Sequence, residues 1–161
     1  MGDRVVLMSF KPRYAQRIID GRKHIELRRA RPSFGSGTIV LIYTTAPICQ
    51  IQGVFVVNRL IEGTVGSLWR RFREALGVSR QEYLTYFDGR QIGFGISIRT
   101  VRPMKASITL SHIRSLWPEF IPPQSYRFLN QSVKAHRELL RSCKAVWQQF
   151  RVCNGSNGTG F

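Results

Sequence analysis

The sequence predicts an α+β fold, a small mixed or largely antiparallel β-barrel with helices at its ends. Segments with strand periodicity outnumber segments with helical periodicity, and no internal repeat is visible. The chain has 161 residues, of which 43% are apolar and 21% are charged. This composition is typical of a globular protein, and the length suits one domain with an appended element.

The first elements are a strand, a helix and a second strand. Val5–Phe10 has the apolar character of a strand, and Pro12 then occupies a position favoured in the first turn of a helix. Helical spacing of apolar residues continues to Gly21, which is a natural stop. Apolar and polar residues alternate over His24–Arg28, which predicts a strand with its polar side chains on one face.

An uncharged stretch, from Pro32 to Asn58, is long enough to suggest a membrane span. Glycines, prolines and polar residues interrupt it, and its densest apolar run, Ile39–Tyr43, has only the length of a strand. We therefore predict two buried strands over residues 38–43 and 48–57, joined by a turn, and no contact with a membrane.

Helical spacing and capping signals define the rest of the chain. Apolar residues at helical spacing predict an amphipathic helix over residues 65–76 and a final helix over about 132–150. Ser79 and Glu82 form the pattern of a capping box at the start of a short helix. The remaining expected segments are strands over residues 91–101 and 107–110, and a loop over residues 118–130.

Cysteine and histidine spacing argues against a metal site. The three cysteines and three histidines are scattered and show no pair at the spacing of metal ligands. The sequence also lacks the glycine-rich motif of a phosphate-binding loop. We therefore expect no metal and no cofactor. An odd number of cysteines without a disulfide framework suits a reducing compartment, and residues 1–10 lack the shape of a signal peptide, so we expect a cytoplasmic protein.

Positive charge dominates the chain. Its 25 Lys and Arg residues outnumber its 9 Asp and Glu residues, which gives a formal net charge of +16. The two ends are the basic parts, because residues 32–98 are nearly balanced. Such a balance predicts a partner that is nucleic acid or another anionic surface.

The final helix carries the clearest basic face. Its cations recur every three or four residues at Lys134, Arg137, Arg141, Lys144 and Arg151. A solvated face is the usual interpretation of such a run, but neutralising phosphates would relieve the repulsion between neighbours and release counterions. The apolar stripe of the same helix is needed by the domain, which disfavours a membrane surface.

Several segments resemble the ASCH domain family. Ser9–Ala15 and Ile18–Arg29 match its opening motif, in which a Lys-Pro pair precedes a Tyr-Ala pair and a Gly-Arg-Lys turn. Val40–Pro47 with the Ile-Gln-Gly that follows resembles its central segment, and Pro122–Tyr126 resembles its closing segment. The similarity covers about residues 5–130.

This resemblance implies a PUA-like β-barrel with flanking helices and a cleft between the first helix and the barrel. We expect the ASCH domain over residues 1–131, an extra basic helix packed on it over 132–153, and a flexible tail over 154–161. ASCH domains are associated with RNA, and some with DNA. A few bacterial members resemble hydrolases that deacetylate acetylcytidine nucleosides or cleave RNA.

Three residues carry the enzymatic interpretation. Lys23 matches the family's catalytic lysine, Glu26 stands where the deacetylating members have a threonine, and Glu74 lies near the position of their catalytic glutamate. A lysine acts near neutral pH only if burial or neighbouring cations lower its pKa. Arg22 and Arg28 would lower the pKa of Lys23, whereas Glu26 would raise it; the alternative is a solvated lysine in a turn.

Three functions remain open from the sequence. The first is a nucleic-acid-binding protein, for RNA in preference to DNA, with a base pocket around Lys23, Glu26, Arg28, Tyr43 and Thr45. The second is a hydrolase acting on a modified nucleoside or on RNA, and the third is an accessory protein that docks through its last helix; the oligomeric state is left open. The expected nucleic-acid contacts are Lys11, Arg13, Arg17, Arg22, Lys23, Arg28, Tyr43, Thr44, Thr45, Arg99, Lys134, Arg137, Arg141 and Lys144.

Overall fold

A computed structural model describes residues 4–145 of the chain, in which six strands and five helices are found. The tail over residues 154–161 and the expected helix beyond residue 145 lie outside the described residues. The elements in chain order are β1 (Val5–Phe10), α1 (Pro12–Ile19), β2 (Ile25–Arg28), β3 (Ile39–Thr44), β4 (Gln50–Thr64), α2 (Val65–Leu76), α3 (Arg80–Tyr86), β5 (Ile92–Thr109), α4 (Leu110–Leu116), β6 (Tyr126–Leu129) and α5 (Lys134–Ser142).

The strands form one mixed sheet in the order β2-β5-β4-β3-β1-β6, which confirms the predicted α+β fold. The β1/β3 pair is parallel and the other four pairs are antiparallel. Within residues 4–145 no ladder joins β2 to β6, so hydrogen bonds do not close the barrel. A side chain spans the opening instead, because Arg28 at the end of β2 donates to Ser125 Oγ beside β6, at 3.2 Å.

Both faces of the central strands are buried, which explains their unbroken apolar character. Alternate residues of β1 enter different clusters: Leu7 packs with α4 and α5, whereas Met8 packs with α1. The same alternation holds in β3. A third cluster packs α2 and α3 on β2 through Leu27, Leu68 and Tyr83, and it forms the wall on which the site is built.

Two strands are longer than the sequence predicts. The expected strands over residues 48–57 and 91–101 are parts of β4 and β5, which pair with each other along most of their length. Their register shifts near Gly53 and again between Val56 and Arg59, so the side-chain alternation is interrupted there. The pairing of β4 with β5 extends both strands, and this pairing cannot be read from the sequence of either segment alone.

The segment after β5 also differs from expectation. The predicted strand over 107–110 is the end of β5, and Leu110 begins α4, capped by Thr109, whose hydroxyl accepts from the backbone N–H of His112 at 3.1 Å. The predicted loop over 118–130 contains β6, which pairs with β1. Four residues are too few to show a period, so only the pairing reveals this strand.

The helices with clear local signals form as predicted. The chain leaves α2 at Gly77, whose φ is +60°, and α3 opens with both hydrogen bonds of the Ser79/Glu82 capping box. The uncharged stretch forms β3 and the first part of β4. No helix within residues 4–145 is long and apolar enough to cross a membrane.

Candidate nucleic-acid interface

Lys23 is buried where the turn after α1 meets the end of α2. Its Nζ donates to the carbonyl of Leu76 at 2.8 Å, and the backbone N–H of His24 donates to Ala75 O at 2.8 Å. The last carbonyls of a helix lack partners within the helix and carry partial negative charge, so they suit an ammonium group. The side chain of Lys23 is only 2% exposed.

Gly77 allows this close approach. A Cβ added there would lie 2.6 Å from Lys23 Cβ and 2.9 Å from the carbonyl oxygen of Arg22. Any larger residue would push the Lys23 turn away from the end of α2. The glycine that ends the helix is therefore also the residue on which the position of Lys23 depends.

Glu26 is shared by two cations. Its Oε2 lies 3.6 Å from Lys23 Nζ, and its Oε1 lies 3.2 Å from Arg28 Nη2. The side chains of Glu26 and Arg28 are 13% and 14% exposed, so all three charges are largely removed from water. Burial lowers the pKa of Lys23, and the neighbouring Glu26 carboxylate opposes that effect.

Arg28 is held from three sides. Besides Glu26, it donates from Nη1 to Ser125 Oγ, and its guanidinium carbon lies 5.7 Å from the centre of the Phe10 ring. Its Nε is buried and makes no hydrogen bond to the described residues. The cluster of Lys23, Glu26 and Arg28, hereafter the charged triad, therefore has little freedom to rearrange.

The triad borders a small pocket of about 40 Å³ between α1, β2 and α3. Lys23, Glu26 and Glu82 supply its charged groups, and the rest of the lining is aromatic or aliphatic: Tyr14, Leu27, Val78, Tyr83 and Tyr86. This volume is well below the range for small-molecule sites, about 300–1,000 Å³, so a ligand enters only when side chains of the lining move outward. Flat aromatic walls with a few converging polar groups suit one planar group such as a nucleobase.

Glu82 is a pocket residue that the sequence assigned only to a helix cap. It accepts from the backbone N–H of Ser79 at 2.7 Å and lies 3.3 Å from the guanidinium groups of both Arg13 and Arg17. The Ser79 hydrogen bond, with smaller contributions from Arg17 and Arg13, lowers the pKa of Glu82. The capping box is visible in the sequence, but the two arginines come from α1, and only the tertiary fold brings them to α3.

We expect Glu82→Gln to lower the free energy of unfolding by about 1 kcal/mol at neutral pH, because the cap and both ion pairs lose charge. The pKa of Glu82 is lower in the folded than in the unfolded state. Its contribution to the free energy of unfolding is therefore complete above the unfolded-state pKa and is lost as pH falls through the folded-state pKa. Urea unfolding at about pH 7 and pH 3 should therefore show the difference from wild type shrinking in acid.

The matched control for that change is Glu62→Gln. Glu62 is 53% exposed and pairs with Arg31 at 2.8 Å on the surface, so its loss should cost less than about 0.5 kcal/mol. Equal costs for the two substitutions would contradict the role given to Glu82.

The other residues expected around α1 lie near the pocket but not inside it. Arg13 and Arg17 reach the rim through Glu82. Arg22 is exposed and pairs with Asp20 at 3.1 Å, and Lys11 is exposed at the start of α1. Glu74 is exposed on α2 and does not line the pocket, so the carboxylates near Lys23 are Glu26 and Glu82.

The residues expected from β3 differ from the prediction. Tyr43 is 1% exposed and packs against Phe120 in the cluster with α4, and burial raises its pKa to about 12. Thr44 is buried and donates to Gln52 Oε1 at 2.6 Å. Neither Tyr43 nor the two threonines, Thr44 and Thr45, line the Lys23 pocket, because β3 lies at the centre of the sheet and β2 at its edge.

The remaining expected contacts are spread over the surface. Arg99 is exposed on β5 and approaches Ser36 Oγ at 3.4 Å. On α5, Lys134 and Arg141 are exposed, Arg141 pairs with Glu138 at 2.9 Å, and Arg137 donates to Gln131 O. Lys144 is exposed just after the end of α5. The helix packs on the domain through Leu139 and Cys143, which belong to the α4 cluster.

The mixed sheet, its flanking helices and the pocket beside α1 define a PUA-like α+β domain. The ASCH domain family matches residues 8–104, so the chain belongs to this family. A relative named ASCH domain-containing ribonuclease, from Zymomonas mobilis subsp. mobilis, is 29% identical over 125 residues, which are 78% of this chain and 84% of that protein.

Solved structures agree with the family assignment. The crystal structure of ASCH from Zymomonas mobilis has a TM-score of 0.78 and 27% identity, and the match covers 85% of this chain and 94% of that one. A variant of the Zymomonas protein with a tyrosine replaced by phenylalanine also has a TM-score of 0.78, with 28% identity and coverage of 86% and 96%. These similarities confirm the predicted fold class.

Proposed function

We propose that this ASCH protein binds single-stranded RNA and that its pocket receives one unstacked base. The observation that carries the proposal is the charged triad at the edge of an aromatic pocket, on a chain whose net charge is +16. Sequence-specific recognition of RNA mostly uses unstacked bases, which stack on aromatic side chains and form hydrogen bonds along their edges. The pocket offers both kinds of contact.

The polar groups of the pocket match the edge of a base. Glu26 accepts hydrogen bonds only, so it would favour a base that presents an amino group. Lys23 has three N–H donors, of which Leu76 O takes one and Glu26 faces a second. The third remains for a base carbonyl or ring nitrogen, while Tyr14 and Tyr86 supply the flat walls.

The test is direct binding of fluorescein-labelled single-stranded RNA and of DNA with the same sequence. We expect both polymers to change the anisotropy, and we expect a higher affinity for RNA than for DNA. The affinity should fall steeply between about 50 and 200 mM salt. Binding of neither polymer at the lower salt concentration would refute the proposal. Equal binding of RNA and DNA would remove the preference for RNA but leave the nucleic-acid interface.

The exposed cations of α5, together with Lys144 just after it, are proposed to contact phosphates. Lys144→Gln should reduce the slope of log K against log salt by about 0.7, which is the contribution of one phosphate contact on a single strand. Lys105→Gln removes the same charge from an exposed position on β5 and is the control. If both variants change the slope equally, α5 has no special role and the effect is that of net charge alone.

A second candidate function is RNA cleavage, which the name of the 29% identical Zymomonas relative supports. In such a reaction the 2′-hydroxyl of the RNA loses a proton and its oxygen bonds to phosphorus, while the bond from phosphorus to the 5′-oxygen breaks and that oxygen takes a proton from water. Glu26 would accept the first proton, and Lys23 and Arg28 would stabilise the charge on the phosphate oxygens. End-labelled RNA, incubated with wild type and with Lys23→Met, tests this; a 2′-deoxy substitution at the cut site must abolish cleavage.

Hydrolysis of an acetylated nucleoside has less support. Among residues 4–145 no serine or threonine lines the pocket, so the hydroxyl of the deacetylating members has no counterpart beside Lys23. Such a reaction would need water activated by Glu26 or Glu82. Release of acetate from acetylcytidine by the pure protein would favour this hydrolase over the RNA-binding function.

A further inference from the structure

A second groove lies beside β6, where the sequence predicted only a loop. It is open to solvent, has a volume of about 630 Å³ and is lined by Arg4, Val5, Ser33, Phe128, Leu129, Asn130 and Gln131. Phe128 is 40% exposed, which is unusual for a large aromatic ring on a strand. Arg4 is the charged residue of the lining, and no carboxylate contributes to it within residues 4–145.

The ring of Phe128 is held by two other aromatic rings. Its centre lies 6.4 Å from that of Phe34 and 5.9 Å from that of Tyr126, with interplanar angles of 84° and 87°. Phe34 and Tyr126 are themselves perpendicular at 5.0 Å. Edge-to-face contacts of this kind fix ring orientation. Phe128 also lies in register with Val6 of β1, so the backbone beneath the ring is part of the sheet.

A chain of contacts connects this groove to the Lys23 pocket. Arg28 of the triad donates to Ser125 Oγ at 3.2 Å, and Ser125 directly precedes Tyr126. The hydroxyl of Tyr126 accepts from the backbone N–H of Ser33 at 3.1 Å, and Ser33 lines the groove. These contacts lead from the charged triad, across the opening between β2 and β6, to the lining of the groove.

We propose that this groove is a second nucleotide site, in which Phe128 stacks on another base of the RNA strand whose unstacked base enters the Lys23 pocket. The proposal rests on the RNA-binding function proposed above and extends its site. Arg4 would neutralise a phosphate, and Asn130 and Gln131 offer amide donors and acceptors to a base edge. The cation without carboxylates favours an anionic ligand over an apolar peptide, and the rigid exposed ring favours planar bases over an acidic peptide.

The experiment uses the full chain and a single-stranded RNA of about ten nucleotides containing 2-aminopurine, whose fluorescence falls when it stacks. We expect Phe128→Leu to weaken binding about tenfold and to abolish the quenching, because leucine keeps apolar bulk but has no flat face. Phe128→Tyr should retain both. Leu84→Ala, which alters a 49% exposed residue on α3, should change neither.

The outcomes separate this inference from the function on which it rests. If wild type binds the RNA, but Phe128→Leu binds equally well with the same quenching, the second site is wrong and the RNA-binding function stands. If wild type fails to bind, both are wrong. Thermal unfolding of each variant checks the fold, and a loss of binding in Phe128→Leu that Phe128→Tyr restores supports the stacking site even if the leucine variant is slightly less stable.

Discussion

Lys23→Met is expected to weaken RNA binding by about ten- to a hundredfold, the effect of losing a hydrogen bond to a charged group. The substitution removes the donor to Leu76 O and one of the two cations beside Glu26, so a buried carbonyl and a partly unpaired carboxylate remain. We also expect the free energy of unfolding to fall by about 2 kcal/mol. Fluorescence anisotropy and urea unfolding on the same preparations measure the two effects.

The pH dependence of this variant has a defined sign. Burial holds the pKa of Lys23 in the folded state below its usual value of 10.5. At a pH between the folded-state and unfolded-state pKa of this lysine, the folded state therefore binds fewer protons than the unfolded state. The wild type therefore gains stability from this group as pH rises through that window, and the methionine variant does not. The stability difference between the two proteins should widen towards alkaline pH.

The control is Lys11→Met, which removes an exposed lysine at the start of α1. Its stability should stay within about 0.5 kcal/mol of wild type, and its RNA affinity should fall only by the cost of one peripheral charge. If Lys11→Met and Lys23→Met weaken binding equally, the pocket has no part in recognition. A stability difference between Lys23→Met and wild type that narrows in alkali would contradict the account of Lys23 burial.

Gly77→Ala should be the most damaging single-methyl substitution in the site. Alanine at a φ of +60° costs about 1–2 kcal/mol by itself, and its Cβ would meet Lys23 Cβ at 2.6 Å and backbone atoms of the same turn at 2.9 Å. Because backbone cannot rotate aside as a side chain can, the Lys23 turn must move away from α2. We expect a total cost of about 3 kcal/mol or more in urea unfolding and a parallel loss of RNA affinity.

Gly89→Ala is the matched control for Gly77→Ala. Its φ is +71°, and a Cβ built there has no neighbour within 4 Å, so it reports the backbone cost alone. Its expected effect is about 1 kcal/mol, with RNA binding unchanged. Equal destabilisation at both positions would mean that the contact between Gly77 and the Lys23 turn is not important.

Local signals account for the parts of the fold that the sequence predicts well. Val5–Phe10, the helix ending at Gly77 and the Ser79 capping box each depend on residues within a few positions of one another. The pairing of Glu26 with Arg28 is local in the same sense, since alternate residues of one strand share a face. Lys23 lies two residues before that strand, and it is the turn after α1 that brings it to Glu26.

Non-local packing accounts for the parts that differ. The fully apolar β3 shows no alternation, so the sequence could not say which face Tyr43 takes, and the structure turns it toward Phe120. Phe128 follows two prolines in a segment without periodicity, and it becomes part of a strand only by pairing with Val6. In each case the deciding partner lies far away in the chain.

The amino-acid sequence by itself determined the α+β class, the excess of positive charge and the shared face of Glu26 and Arg28, because these depend on composition and short-range spacing. Its motifs pointed to the family, and that resemblance singled out Lys23. Only the tertiary structure decided that Lys23 is buried rather than solvated. The carbonyl end of α2 covers it, and Gly77 lets the two segments touch. Burial and partner choice arise from contacts between distant segments, and such contacts exist only after the sheet has brought α1, α2 and α3 to one edge of β2.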